Sequence, residues 1–128
     1  MIIVSISAAI LAALYIALSF HVIGLRRRHR VAIGSGGRAD LERAMRVHAN
    51  FAEYVPFALV LLTLCALRGL PVWLLAPLCV ALVIGRALHA YGVSHENENF
   101  RFRVWGMMAT FGVLGGAALC LAGLVLFD

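Results

Sequence analysis

Four long apolar runs separated by short polar stretches set the pattern of this chain. They cover Ile2 to Leu25, about Leu41 to Leu67, about Val72 to Tyr91, and about Val104 to Phe127. A helix needs roughly 20 apolar residues to cross a hydrocarbon core about 30 Å thick, and each run reaches that length. The pattern therefore predicts an all-α, integral membrane four-helix bundle, with residues 1–128 forming one domain. A signal peptide competes for the first run. Its basic region would precede the apolar core, but Arg26-Arg27-Arg28-His29-Arg30 follow it instead. That order suits a retained span.

The breaks in the apolar pattern carry the information about function. The second run opens with Arg43, Arg46, Asn50 and Glu53. At roughly 100° per residue, these four side chains fall within an arc of about 80° on one helix face. Charges that enter a bilayer are costly and are kept against partners, ligands or water. The third run ends with Arg86 and His89, which share a face about 60° wide. The loop Ser94-His95-Glu96-Asn97-Glu98-Asn99 follows, then Phe100-Arg101-Phe102-Arg103. His95 and Glu96 read as a solvated loop pair.

Smaller features fill in the connections. Gly34-Ser35-Gly36-Gly37 reads as a hinge, because no Lys-Ser or Lys-Thr follows to make a phosphate loop. Asp40 suits the N-cap of the second helix and Glu42 its first turn. Pro56 interrupts the second helix and frees a carbonyl. Arg68-Gly69-Leu70-Pro71 is a tight turn, so the second and third spans should be antiparallel neighbours. Gly112, Gly116 and Cys120 recur at four-residue intervals and suggest a close-packing seam on the fourth helix.

Arginine counts predict the orientation. The loop after the first span carries Arg26, Arg27, Arg28, Arg30 and Arg38, and that after the third carries Arg101 and Arg103. The turn after the second has Arg68 alone, and no arginine precedes the first span. The positive-inside bias places both loops in the cytoplasm and both termini outside. The three polar clusters then meet at one membrane face.

Composition agrees with a membrane chain. Of 128 residues, 63% are hydrophobic, more than a soluble domain of this size can bury. The formal net charge of +5 comes wholly from arginine, since lysine is absent. These arginines flank membrane spans, so they read as topology signals and anion-binding groups, and no nucleic-acid partner is expected. Cys65, Cys79 and Cys120 lie inside apolar runs and read as small packing residues. His21, His48 and His89 sit toward one side, but no pair at facing depths emerges to hold a haem, and no metal site is expected. His48 points about 160° away from Arg46 and suits a hydrogen bond to a neighbouring helix or subunit.

The chemistry of the converging groups defines a ligand class. Guanidinium forks hold carboxylates or phosphates, and a carboxylate such as Glu53 holds an ammonium. Glutathione, with two carboxylates, an α-amino group and a thiol, matches that set. An arginine near the sulfur would favour the reactive thiolate. A nucleotide or an acidic lipid headgroup remains an alternative on residue chemistry alone, and so does a purely structural polar network.

The stretch Glu42-Arg43-x-x-Arg46-x-His48-x-Asn50-x-x-Glu53-Tyr54-x-Pro56 resembles the second-helix signature of the MAPEG family, the membrane-associated proteins of eicosanoid and glutathione metabolism. Arg86-x-x-His89-x-x-Gly92, followed by Arg101-x-Arg103, resembles a second region of that family. The resemblance covers essentially the whole chain and is closest to small bacterial members. It implies a homotrimer of four-helix bundles that binds glutathione between subunits at the cytoplasmic side. Arg46, Asn50 and Glu53 match glutathione-binding positions on the second helix, with Arg43 beside them. Arg86 and His89 match polar positions on the third helix that line the same glutathione site. The catalytic arginine that steadies the thiolate matches Arg103 or Arg101, with Arg103 nearer the start of the span. One departure is Val93, where several members carry a tyrosine.

These readings lead to a glutathione-dependent transferase or peroxidase acting on a hydrophobic small molecule or lipid drawn from the membrane. A non-catalytic lipid-binding or scaffold protein on the same fold is one alternative. A small transporter that uses Glu53 as a coupling carboxylate is another.

Overall fold

The computed structural model describes residues 1–94 and 100–127. The expected pair of His95 and Glu96 lies outside the described residues. Four helices follow one another: α1 Ile2–His29, α2 Ala39–Leu67, α3 Val72–Ser94 and α4 Phe100–Leu126. All four are long and apolar enough to cross a membrane. At about 1.5 Å per residue they exceed the thickness of a hydrocarbon core, so their ends reach into the headgroup region.

The helices begin and end where local chemistry allows. α1 runs past the apolar stretch through Arg26, Arg27, Arg28 and His29, whose positive charge suits the negative end of a helix dipole. It stops at Arg30, which takes the left-handed conformation with φ 55° and turns its N–H back to the carbonyls of Arg26 and Arg27. α2 starts one residue before Asp40, with Arg38 at the N-cap, so the expected cap at Asp40 is corrected. Asp40 lies within the first turn. Its Oδ1 accepts the Leu41 N–H at 2.8 Å, while its Oδ2 meets His29 Nε2 at 2.7 Å. α2 continues through Pro56, and α3 carries Pro77 near its start.

The loop between α1 and α2 is stapled, although its glycines suggested a simple hinge. Arg26 Nη1 donates to the carbonyls of Ala32 and Gly34, at 3.2 and 3.0 Å. The His29–Asp40 contact closes the same loop from its two ends.

The core runs along the middle of the bundle. Leu11 of α1, Phe51, Ala58 and Leu62 of α2, Leu75 and Leu82 of α3, and Val113 and Ala117 of α4 form one buried cluster. Among the described residues, α2 and α3 each pack against the other three helices, whereas α1 and α4 do not touch. The tightest approach joins α3 to α4. A Cβ at Gly106 would lie 2.5 Å from the Gly85 carbonyl oxygen and 2.7 Å from the His89 backbone nitrogen. A Cβ at Gly92 would lie 2.9 Å from the Arg103 nitrogen.

This seam differs from the one expected at Gly112, Gly116 and Cys120. A Cβ at Gly112 meets nothing within 4 Å, and one at Gly116 meets only a Leu78 methyl at 3.2 Å. Within the chain, the glycines that matter lie nearer the polar end of the bundle. They set how closely the start of α4 lies against the end of α3.

Candidate functional site

The polar stripe of α2 divides into an open part and a sealed part. Arg46 and Glu53 are exposed on the outer face of the helix. Arg43 and Asn50 are half-buried and turned toward α3. Arg43 Nη1 reaches the Val93 carbonyl at 3.4 Å. The division follows from helix geometry. Leu41, Ala44, Val47, Phe51 and Val55 occupy the buried face, so residues on the opposite side stay outside.

A cleft of about 290 Å³ opens at the polar end of the bundle. Ala39, Glu42, Arg43 and Arg46 of α2, Val93 of α3 and Arg103 of α4 line it. It joins three elements that are far apart in sequence, and it is close to the lower end of ligand-pocket volumes, about 300 Å³. Arg101 is exposed on α4 and is not part of this lining. The sequence reading missed Glu42 as a wall residue, because its place in a first helical turn already accounts for it.

Arg86 lies below the cleft and is fully buried, at 0% exposure. Its Nη2 donates to Asn50 Oδ1 at 2.7 Å and contacts His89 Nδ1 at 3.3 Å. Its Nη1 contacts Thr110 Oγ1 at 3.5 Å and the Met107 sulfur at 3.8 Å. The guanidinium carbon lies 5.5 Å from the centre of the Phe51 ring. Its Nε has no hydrogen-bond partner among the described residues.

A guanidinium group has only donors, so His89 Nδ1 must accept. In this contact the His89 Nε2 carries the ring proton. Thr110 in turn donates to the Gly106 carbonyl at 2.8 Å, leaving an oxygen lone pair for Arg86. The structure thus places Arg86 and His89 inside the packed bundle, bracing Asn50, and not on the open wall. Thr110 was missed, although it is the one hydroxyl residue of α4, a signal that its sequence position offered.

His48 belongs to a separate cluster between α1 and α2. Its Nε2 lies 3.0 Å from Ser19 Oγ, and its ring stacks on Tyr15 at 4.8 Å. The Ser19 hydroxyl donates to the Tyr15 carbonyl at 2.8 Å, so its oxygen accepts from the His48 Nε2–H. The expected inter-helix bond of His48 is present, with Ser19 as partner. His21 is exposed on α1.

Comparison with known proteins bears on the whole chain. The model of the MAPEG family matches residues 4–123. The chain belongs to the MAPEG family. It is also 39% identical over 107 residues to the inner membrane protein YecN of Escherichia coli strain K12, covering 84% of this chain and 80% of that protein. The YecN protein of Escherichia coli O6:H1 matches with the same identity and coverage. The MAPEG chain described here is therefore a membrane protein of four transmembrane helices, and the expectations of fold and family drawn from the sequence hold.

Proposed function

We propose that this MAPEG protein is a glutathione-dependent transferase or peroxidase of a bacterial inner membrane, acting on hydrophobic electrophiles. The observation that carries the reading is the cleft in which Arg43, Arg46 and Arg103 converge. Three guanidinium groups around one opening suit a ligand with more than one carboxylate. Glu53 lies seven residues beyond Arg46 on the same exposed face, about 10 Å farther along the helix. An extended tripeptide spans about 10 Å, so arginine at one end and carboxylate at the other match its acidic and amino termini. Arg103, the α4 arginine of this cleft, is the group assigned to the sulfur, where a cation favours thiolate over thiol.

Asn50 joins this surface to the interior. Arg86 holds its Oδ1, which leaves the amide NH2 to donate outward to a carboxylate. In this reading Arg86 and His89 position Asn50 and do not touch the ligand.

The exposed polar stripe supports assembly as a homotrimer. An open carboxylate at the depth of Glu53 is costly against lipid tails, and the face becomes tolerable once neighbouring copies cover it. Ligand and subunit interface would then share one surface. The arginine-rich ends lie on the cytoplasmic side by the positive-inside bias, with both termini periplasmic.

The reaction tests the proposal. Conjugation of glutathione to a hydrophobic aryl halide should fall at least about a hundredfold in Arg103→Ala, the scale on which removal of one electrostatic stabiliser acts. Arg101→Ala should keep most of the rate. A rate insensitive to Arg103, or wild-type protein with no thiol-transfer activity toward any apolar electrophile, would favour the non-catalytic scaffold reading.

A further inference from the structure

Outside the cleft, the face of α1 carries two features that belong together. One is a groove of about 350 Å³ between α1 and α2, walled by Ala8, Leu11, Ala12 and Tyr15 on one side and by Phe51 and Pro56 on the other. Small alanines leave the space, and the aromatic rings of Tyr15 and Phe51, stacked at 5.7 Å, close its upper end. The other is a basic pocket of about 360 Å³ at the end of α1, formed by Ile23, Arg26, Arg27, Arg30, Val31 and Ala32.

The two lie on one side of the helix. At roughly 100° per residue, Ala8, Ala12, Tyr15, Ile23, Arg26 and Arg30 fall within an arc of about 80°, and Leu11 and Arg27 flank it on either side, widening the strip to about 160°. Ala12 and Arg26 are fourteen residues apart in α1, about 21 Å along the axis. Half of a bilayer, headgroups included, is about 20–22 Å thick. The basic pocket therefore stands at headgroup level when the groove stands among the ends of the acyl chains.

We propose that this strip is a binding site for one anionic diacyl phospholipid, with its phosphate on Arg27 and Arg30 and an acyl chain in the groove. Arg26 is already committed to the Ala32 and Gly34 carbonyls, so it shapes the pocket wall. Arg27 and Arg30 have no side-chain partner among the described residues, and both are exposed. Beside them Ile33 is 91% exposed, an apolar side chain that suits the membrane interface. Charge complementarity selects the occupant. A second copy of a chain of net charge +5 would bring more arginine to this rim, whereas a phosphodiester neutralises it. The basic pocket shares no residue with the proposed glutathione cleft, and the groove includes neither Asn50 nor Glu53, so the test reads lipid retention separately from the proposed activity.

Native mass spectrometry of the detergent-purified full chain tests it, with phosphatidylglycerol and phosphatidylcholine of identical acyl chains in competition. Wild type should retain phosphatidylglycerol preferentially. Arg27→Gln and Arg30→Gln should each lower that preference about fivefold. Arg28→Gln removes the same charge from a position outside the pocket lining, about 160° around α1 from Arg30, and should leave the preference unchanged. Ala8→Leu or Ala12→Leu should reduce retention of both lipids by filling the groove. The proposal is overturned by equal retention of the two lipids in wild type, or by an Arg28→Gln effect as large as that of Arg27→Gln. It is also overturned if soluble glycerol phosphate binds as tightly as the lipid. Retention unchanged by both alanine substitutions, or groove substitutions that alter only the oligomer mass, would overturn it as well.

Discussion

A single buried guanidinium governs the interior of the polar end. Arg86 has no carboxylate among its contacts with the described residues, and its shortest hydrogen bond there runs to the Asn50 amide oxygen. Hydrogen bonds to a charged group are worth about 1.5–3 kcal/mol, and a buried charge that loses its acceptor suffers the most. Asn50→Leu should therefore destabilise the protein by at least about 2 kcal/mol. Arg86→Met, which removes the buried cation and keeps apolar volume, should cost less. Thermal unfolding in detergent, without ligand, compares the two; a larger loss in Arg86→Met would mean that the cation itself holds the helices together. The sequence marked Arg86, His89 and Asn50 as polar residues at related depths. It could not say that they face each other, because that depends on how α2, α3 and α4 are rotated in the bundle. Residue type and helical period fix a face, but neither fixes what the face meets.

At the scale of the helix, the close contact between α3 and α4 rests on absent side chains. Gly106→Ala would drive a methyl into the Gly85 carbonyl and the His89 backbone, forcing the two helices apart. Overpacking of this kind costs typically about 1–3 kcal/mol. Gly112→Ala adds a methyl in open space, so it should leave the unfolding temperature unchanged or raise it, since alanine favours helix by about 1 kcal/mol over glycine. Unfolding temperatures of the two variants check this; equal losses would show that the fourth-helix seam does pack in the assembled protein. Periodicity suggested Gly112 and Gly116 because a four-residue repeat is visible in sequence. The glycines actually engaged lie on two helices, and no local pattern pairs them.

Element ends show a similar limit. The apolar runs revealed four spans, since hydropathy is a local property. α1 nevertheless continues through its arginines, and the following loop is tied down by the Arg26 side chain. Arg26→Ala should release residues 31–38, which hydrogen exchange would register as faster amide exchange there with little change along the spans. Exchange as slow as in wild type would mean that His29 and Asp40 suffice to hold the loop.

For the whole molecule, the apolar surface and the polar stripe place opposite demands on the surroundings. Phe57, Val60, Trp105, Met108 and Phe111 are exposed and suit lipid or another copy. Arg46 and Glu53 are exposed on the same chain and suit neither lipid tails nor an empty cleft. The proposed assembly of three copies, with glutathione held at its interfaces, would reconcile the two. Its mass in detergent, corrected for bound detergent, should be about three times that of one chain, and a persistent monomer would leave the stripe unexplained. Family membership was legible from residues 42–56 because the motif lies within one helix. The cleft that joins Arg43 and Arg46 to Arg103 was only partly so, because it depends on the fold bringing α4 back to α2.

The central claim is that arginine and carboxylate on one face of α2 grip glutathione. Calorimetric titration of the detergent-purified protein with glutathione tests it most directly, beside Arg46→Ala and Glu53→Gln. Saturable binding in wild type that weakens at least about tenfold in each variant, the loss of one charge-assisted hydrogen bond, is the expected result. Binding unchanged by both substitutions, or none in wild type, would contradict it.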